Sequence, residues 1–171
     1  MLTLVTATLP ERSSFLREML SSVTEQTVAP ACHIVMRDDG RGFVDTVNRA
    51  VCAVDTEYFC LVDDDDLLLP HHVETLVGNL VADIVWTWVR VEGRSWNPNR
   101  GYEFGALKHG NYIPSNFAMR TSLWRELGGY RSGPQHPDWD MLIRCEDAGA
   151  SFHNVPEITW VYRFHGGNMS V

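Results

Sequence analysis

At 171 residues, with 44% apolar and 21% charged side chains, the chain is long enough to close one hydrophobic core and is ordinary for a globular domain. Its formal net charge of −8 argues against nucleic acid as a partner. Lys108 is the only lysine, so a phosphate-bearing ligand would have to be met by arginine or by a divalent cation.

Residues 2–8 form a β-rich run and predict a first strand. A loop with Pro10, Glu11 and Arg12 follows, and Ser13 or Ser14 is placed to cap a helix whose apolar stripe is Phe15, Leu16, Met19, Leu20 and Val23. After Pro30, residues 33–36 predict a second strand that runs into the polar turn Arg37-Asp38-Asp39-Gly40. Val44, Val47, Val51 and Val54 mark a second helix. Residues 58–62 predict a third, buried strand, and Asp63, Asp64, Asp65 and Asp66 follow it directly. Pro70 stands near the start of a third helix striped by Val73, Leu76, Val77 and Leu80.

This alternation of strand and helix predicts an α/β fold with a mostly parallel sheet and right-handed crossovers. In such sheets ligands gather at the carboxyl ends of the strands. Here those ends carry Thr8 to Arg12, Asp38 with Asp39, and the four aspartates. Residues 84–91 predict a fourth strand, in which Trp86 and Trp88 read as core. Beyond a loop over 93–101, the pattern predicts a strand at 116–120, helices at 122–127 and 138–148, and two strands at 151–155 and 159–164. The chain reads as one domain over 1–171, with a nucleotide-type half over 1–92 and a more variable half over 93–171.

Four adjacent carboxylates repel one another unless something positive sits among them. Asp63 and Asp65, one residue apart at a strand end, can turn two oxygens to one side, and such hard ligands suit Mg²⁺ or Mn²⁺. The alternative is a solvated acidic turn that caps the next helix. His71 and His72 fall in a first helical turn and are expected to face solvent. Cys32, Cys52, Cys60 and Cys145 form no CxxC pair, so reduced thiols and no structural zinc are expected. The N-terminus enters a strand at once, without a signal-peptide pattern, and no apolar run reaches the length of a membrane span; a cytoplasmic protein is the expectation.

Taken together, these segments resemble the family 2-type glycosyltransferases with the GT-A fold. The resemblance rests on several stretches in order: the helix end Ser21-Ser22 through Gln26-Thr27, the turn Asp38-Asp39-Gly40, and Leu61-Val62-Asp63-Asp64-Asp65-Asp66 with its trailing Pro70. It continues through Asn116 to Arg120, Leu127-Gly128-Gly129-Tyr130, Asp138-Trp139-Asp140-Met141-Leu142-Ile143-Arg144, and Tyr162 to His165 followed by Asn168 and Ser170. Pro137 stands where the family usually carries Glu, and Arg41 where it usually carries Ser.

The resemblance implies a Rossmann-like GT-A domain that moves a sugar from a nucleotide-diphosphate donor, such as a UDP- or GDP-sugar, to a hydroxyl acceptor. It implies Mn²⁺ or Mg²⁺ held by Asp63 and Asp65, with His165 completing the site. Thr8, Arg12, Asp39 and Asp64 would bind the nucleotide, and Asp39 is the better match of the Asp38-Asp39 pair for the base. Asp138 would be the general base, with Asp140 as fallback, and one base opposite the leaving group implies inversion at the anomeric carbon. Two other functions fit parts of the sequence. A strand followed by D-x-D also opens haloacid-dehalogenase-like phosphohydrolases, but Leu67 stands where those usually have Thr or Val, and Lys108 lacks their context. The other is a non-catalytic module that only binds a nucleotide sugar.

Overall fold

The computed structural model describes residues 1–165; Asn168 and Ser170 lie outside them. The predicted strands appear as β1 (Leu2–Thr8), β2 (Cys32–Arg37) and β3 (Tyr58–Leu61), separated by α1 (Ser13–Thr24) and α2 (Phe43–Cys52). Then come β4 (Leu67–Leu68), α3 (His72–Gly78), β5 (Ile84–Glu92), β6 (Phe117–Arg120), α4 (Thr121–Leu127), α5 (Pro137–Asp147) and β7 (Phe152–Arg163). No described helix is long and apolar enough to cross a membrane.

All seven strands join one sheet in the order β2-β1-β3-β6-β5-β7-β4. β1 pairs in parallel with β2 and β3, and β5 with β7, whereas β6 and β4 run antiparallel to their neighbours. Five strands therefore point the same way, and the fold is the mixed, mostly parallel α/β sheet expected. Alternation along β1 sends Leu2 and Leu4 to one face and Val5 to the other. Leu16 and Met19 of α1 and Val73 and Leu76 of α3 cover the first face. Val47 and Val51 of α2, Trp124 of α4 and Met141 and Leu142 of α5 cover the second. Trp86 is fully buried, and Trp88 is half-buried with its indole N–H donating to Asn154.

Several local expectations change. The two strands read at 151–155 and 159–164 are one strand. Pro156 does not break it, because the register against β5 shifts here: Val155 pairs with Thr87 and Ile158 with Trp88. Pro156 and Glu157 are the extra residues of this bulge, and both are exposed, so the missing N–H costs no ladder bond. β4 has no signal in the sequence, since two residues carry no periodicity, and the strand exists through its pairing with Trp160 and Val161. α1 has no serine cap, being entered from a 3₁₀ turn over Pro10–Arg12. His72 is fully buried rather than solvent-facing, with its ring 2.7 Å from the Thr159 hydroxyl. Burial pulls its pKa down to about 3, so it is a neutral core residue. The four cysteines are free thiols, Cys60 and Cys145 buried and Cys32 and Cys52 exposed.

The turn after α4 fixes part of the cleft wall. Gly128 and Gly129 both have positive φ, and a Cβ on Gly129 would stand 2.6 Å from Asn48 Oδ1. Asn48 cannot yield, because its side chain accepts from Tyr130 N–H and donates to Tyr130 C=O at 2.9 Å each. Gly129→Ala is expected to cost about 2 kcal/mol or more, from left-handed strain plus the clash. Denaturant unfolding would check this, and a loss under about 0.5 kcal/mol would show that the turn is slack.

Candidate active site

The parallel arrangement of β2, β1 and β3 brings their three polar carboxyl ends side by side. A cleft of about 500 Å³ opens above them, lined by Thr8, Arg12, Asp38, Asp63, Asp64 and Asp65 on one side. Asn111 to Ser115, Tyr130 and His136 to Trp139 form another wall, and Arg94, Trp96, Trp160 and Tyr162 a third.

The acidic run is folded inward. Asp64, Asp65 and Asp66 are buried and Asp63 is half-buried. Thr8 donates its hydroxyl to Asp64 at 2.5 Å, tying the end of β1 to the end of β3. The Arg12 guanidinium donates to Asp64 at 3.0 Å and to Asp65 Oδ2 at 2.9 Å. The same Asp65 oxygen lies 3.1 Å from His165 Nε2, whose ring stacks on Phe15 at 4.6 Å. Asp63 accepts from the Ser115 hydroxyl at 3.0 Å. Burial, then the charge of Asp65, pushes Asp63 up to about 7, while burial raises Asp66 well above the ordinary carboxylate range.

Asp63, Asp65 and Asp66 can each offer an oxygen within 4.8 Å of the others. One Asp66 oxygen accepts the Arg163 backbone N–H, while the other is buried with no hydrogen-bond partner among the described residues. A hard-oxygen cluster with an unsatisfied buried oxygen fits a divalent cation such as Mg²⁺ or Mn²⁺. Asp66 was absent from the ligand set expected from sequence. Its repetition in the acidic run was the available signal, but alternation along an extended strand argued for Asp63 and Asp65 alone.

The two aspartates at the end of β2 are placed differently from each other. Asp39 does not line the cleft; it is 46% exposed and ion-paired with Arg49 at 3.1 Å and Arg41 at 3.6 Å. Asp38 lines the cleft. One of its oxygens accepts the backbone N–H groups of Gly42 and Gly40, and the Gly42 bond chiefly lowers its pKa.

Asp138 is the second residue of α5, behind Pro137, and lines the cleft. His136 takes the N-cap position, so Asp138 is not the cap. Burial raises its pKa, opposed by hydrogen bonds from the Trp139 N–H and from Asn111, whose amide stands 3.4 Å away. Asp140 is turned aside and accepts from Arg144 at 2.8 Å. Arg144 also donates to the carbonyls of Leu127 and Gly129, clamping α5 to the turn that carries Tyr130. The Trp139 indole N–H donates to Leu107 C=O at 2.7 Å, anchoring the loop ahead of Asn111.

The chain belongs to Glycosyl transferase family 2, whose profile matches residues 18–147. Solved structures agree on the fold. Staphylococcus aureus TarS 1–349 in complex with UDP-GlcNAc superposes with a TM-score of 0.80 at 12% identity, covering 99% of this chain and 60% of that one. The mannosyltransferase PcManGT from Pyrobaculum calidifontis, in complex with GDP-Man and Mn²⁺, gives 0.72 at 13% identity, covering 98% and 58%. The chain thus spans about three-fifths of these proteins. No match was found among curated proteins.

Proposed function

We propose that the chain transfers a hexose from a nucleotide-diphosphate sugar to a hydroxyl acceptor, with inversion and with the help of Mn²⁺ or Mg²⁺. The observation that carries the reading is the meeting of Asp63, Asp65 and Asp138 in one cleft above the ends of the parallel strands. Asp63, Asp65 and Asp66 would hold the cation, with His165 beside Asp65. When bound, it supplies positive charge against the diphosphate leaving group.

The chain's own residues divide the remaining work. Asp38, held as an acceptor by the Gly40 and Gly42 amides, replaces Asp39 as the proposed partner of base or ribose N–H and O–H donors. Thr8, Asp64 and Arg12 fix the floor under the nucleotide. Asp138 takes the proton of the attacking hydroxyl, its raised pKa making it a stronger base than an ordinary aspartate. Trp139 and Tyr130 shape the side that faces the sugar and acceptor. Residues 1–92 supply most of the nucleotide floor, and later residues supply the base. Pro137 opens α5 at its first residue and leaves Asp138 in the cleft, so the proline in place of Glu is compatible with Asp138 as the base.

Calorimetric titration with UDP and GDP, and with CDP and TDP as controls, tests this reading with and without Mn²⁺. One nucleotide is expected to bind at least about tenfold more tightly with the ion, and the corresponding sugar donor to be hydrolysed slowly. Failure of all four to bind under either condition would overturn the donor site.

A further inference from the structure

We infer that Arg12 is a built-in counter-ion which the cation must displace, and that it makes cation binding depend on a nucleoside diphosphate. The inference rests on the proposed donor site and adds a positioning role within it. Arg12 Nη1 bridges Asp64 Oδ1 at 3.0 Å and Asp65 Oδ2 at 2.9 Å, with only 19% of its side chain exposed. Asp65 is one of the three aspartates whose oxygens gather within 4.8 Å. Among the described residues, its Oδ2 already meets Arg12 and His165. A divalent cation that takes this oxygen either displaces the guanidinium or sits a few ångströms from a fixed positive charge, where repulsion is strong.

A displaced guanidinium needs another anion, since moving it away from Asp64 and Asp65 leaves its charge unpaired, while Asp64 keeps the Thr8 hydroxyl. A diphosphate supplies that anion. Arg12 ends the 3₁₀ turn that follows β1 and lines the same cleft, so its side chain can swing between aspartates and phosphate while the backbone stays in place. Its planar fork of donors suits phosphate oxygens as well as carboxylates. The cation then gains Asp65 as the diphosphate gains Arg12, and each ligand raises the affinity of the other by the same factor.

The test is Mn²⁺ binding to the whole chain, followed by the loss of the free-ion electron paramagnetic resonance signal, with and without UDP or GDP and corrected by the same nucleotide titration without protein, because a nucleoside diphosphate itself chelates Mn²⁺. Wild type is expected to bind Mn²⁺ weakly alone and at least about tenfold more tightly with the nucleotide. Arg12→Met keeps the length of the stem and removes the charge. It is expected to bind Mn²⁺ alone at least about tenfold more tightly than wild type, with the coupling factor reduced about as much. Arg12→Lys keeps the charge and is expected to retain weak Mn²⁺ binding without nucleotide, which guards against reading a general loosening of the site as relief of competition. Unchanged or weaker Mn²⁺ binding by Arg12→Met, in a protein that still binds nucleotide, overturns the inference and leaves the donor site standing. Failure of wild type to bind Mn²⁺ under either condition overturns both.

Discussion

Asp138→Asn is expected to slow transfer by about a hundred- to ten-thousand-fold while nucleotide affinity changes by no more than about twofold. The amide keeps the size of the carboxylate and cannot take a proton. At 1.36 kcal/mol per tenfold, the loss is about 3–5 kcal/mol of barrier. Until an acceptor is in hand, donor hydrolysis reads the same step, with water as the attacking hydroxyl. Asp138 is raised by burial, so wild-type activity falls on acidification at a pH above the ordinary carboxylate range, as the base form is lost. That inflection is expected to vanish from the residual activity of the variant. The sign for stability is opposite. A carboxyl with a raised folded pKa favours the fold while protonated, and this contribution is lost as pH rises through the raised value. The variant is therefore expected to be no less stable than wild type at neutral pH. A variant that keeps full activity would remove Asp138 as the base; one that also loses nucleotide affinity would make it a binding residue instead.

The second large effect is expected at Asp65→Asn, which should abolish the gain in nucleotide affinity given by Mn²⁺, a loss of about a hundredfold or more in cation affinity. Asp65 holds the oxygen that belongs to the three-carboxylate cluster and also meets Arg12 and His165. The amide retains one oxygen acceptor and loses the charge. Folding should survive the change, because the run Asp63–Asp66 is rich in mutual repulsion and Asp64 still engages Thr8 and Arg12. Circular dichroism would confirm the fold, and calorimetry with and without Mn²⁺ reads the effect. An unaltered Mn²⁺ response would move the cation site away from Asp65.

The three parallel strands and their polar ends were legible because each apolar run is followed at once by turn and acidic residues, and because α1 and α2 carry clean stripes. Those features are local. The errors arose where tertiary pairing decides. Pro156 reads as a strand break until β5 is seen to leave it in a bulge. Leu67 and Leu68 become a strand only beside Trp160 and Val161. His72 looks polar in a row of letters and is buried because Thr159 meets its ring. At the Asp38-Asp39 pair the letters do not say which carboxylate faces the cleft; the Gly40 and Gly42 amides hold Asp38 there, while Asp39 pairs with Arg41 and Arg49. Asp66 and Asn111 reached the site through burial and loop position, which carry no spacing signal.

The place of β6 bears on how this chain can be assembled. β6 lies between β3 and β5, although both of those strands precede it in the chain. A nascent polypeptide that has emerged through residue 92 has made every strand of the nucleotide floor, yet β3 and β5 still lack the strand that joins them, and each exposes a backbone edge. Closure waits for residues 117–120, which cross to Tyr58, Phe59 and Cys60 on one side and to Ile84, Val85 and Trp86 on the other. The two halves suggested by composition are therefore interleaved and cannot be cut apart at residue 92. Ser115, which donates to Asp63 at 3.0 Å, arrives with the same segment.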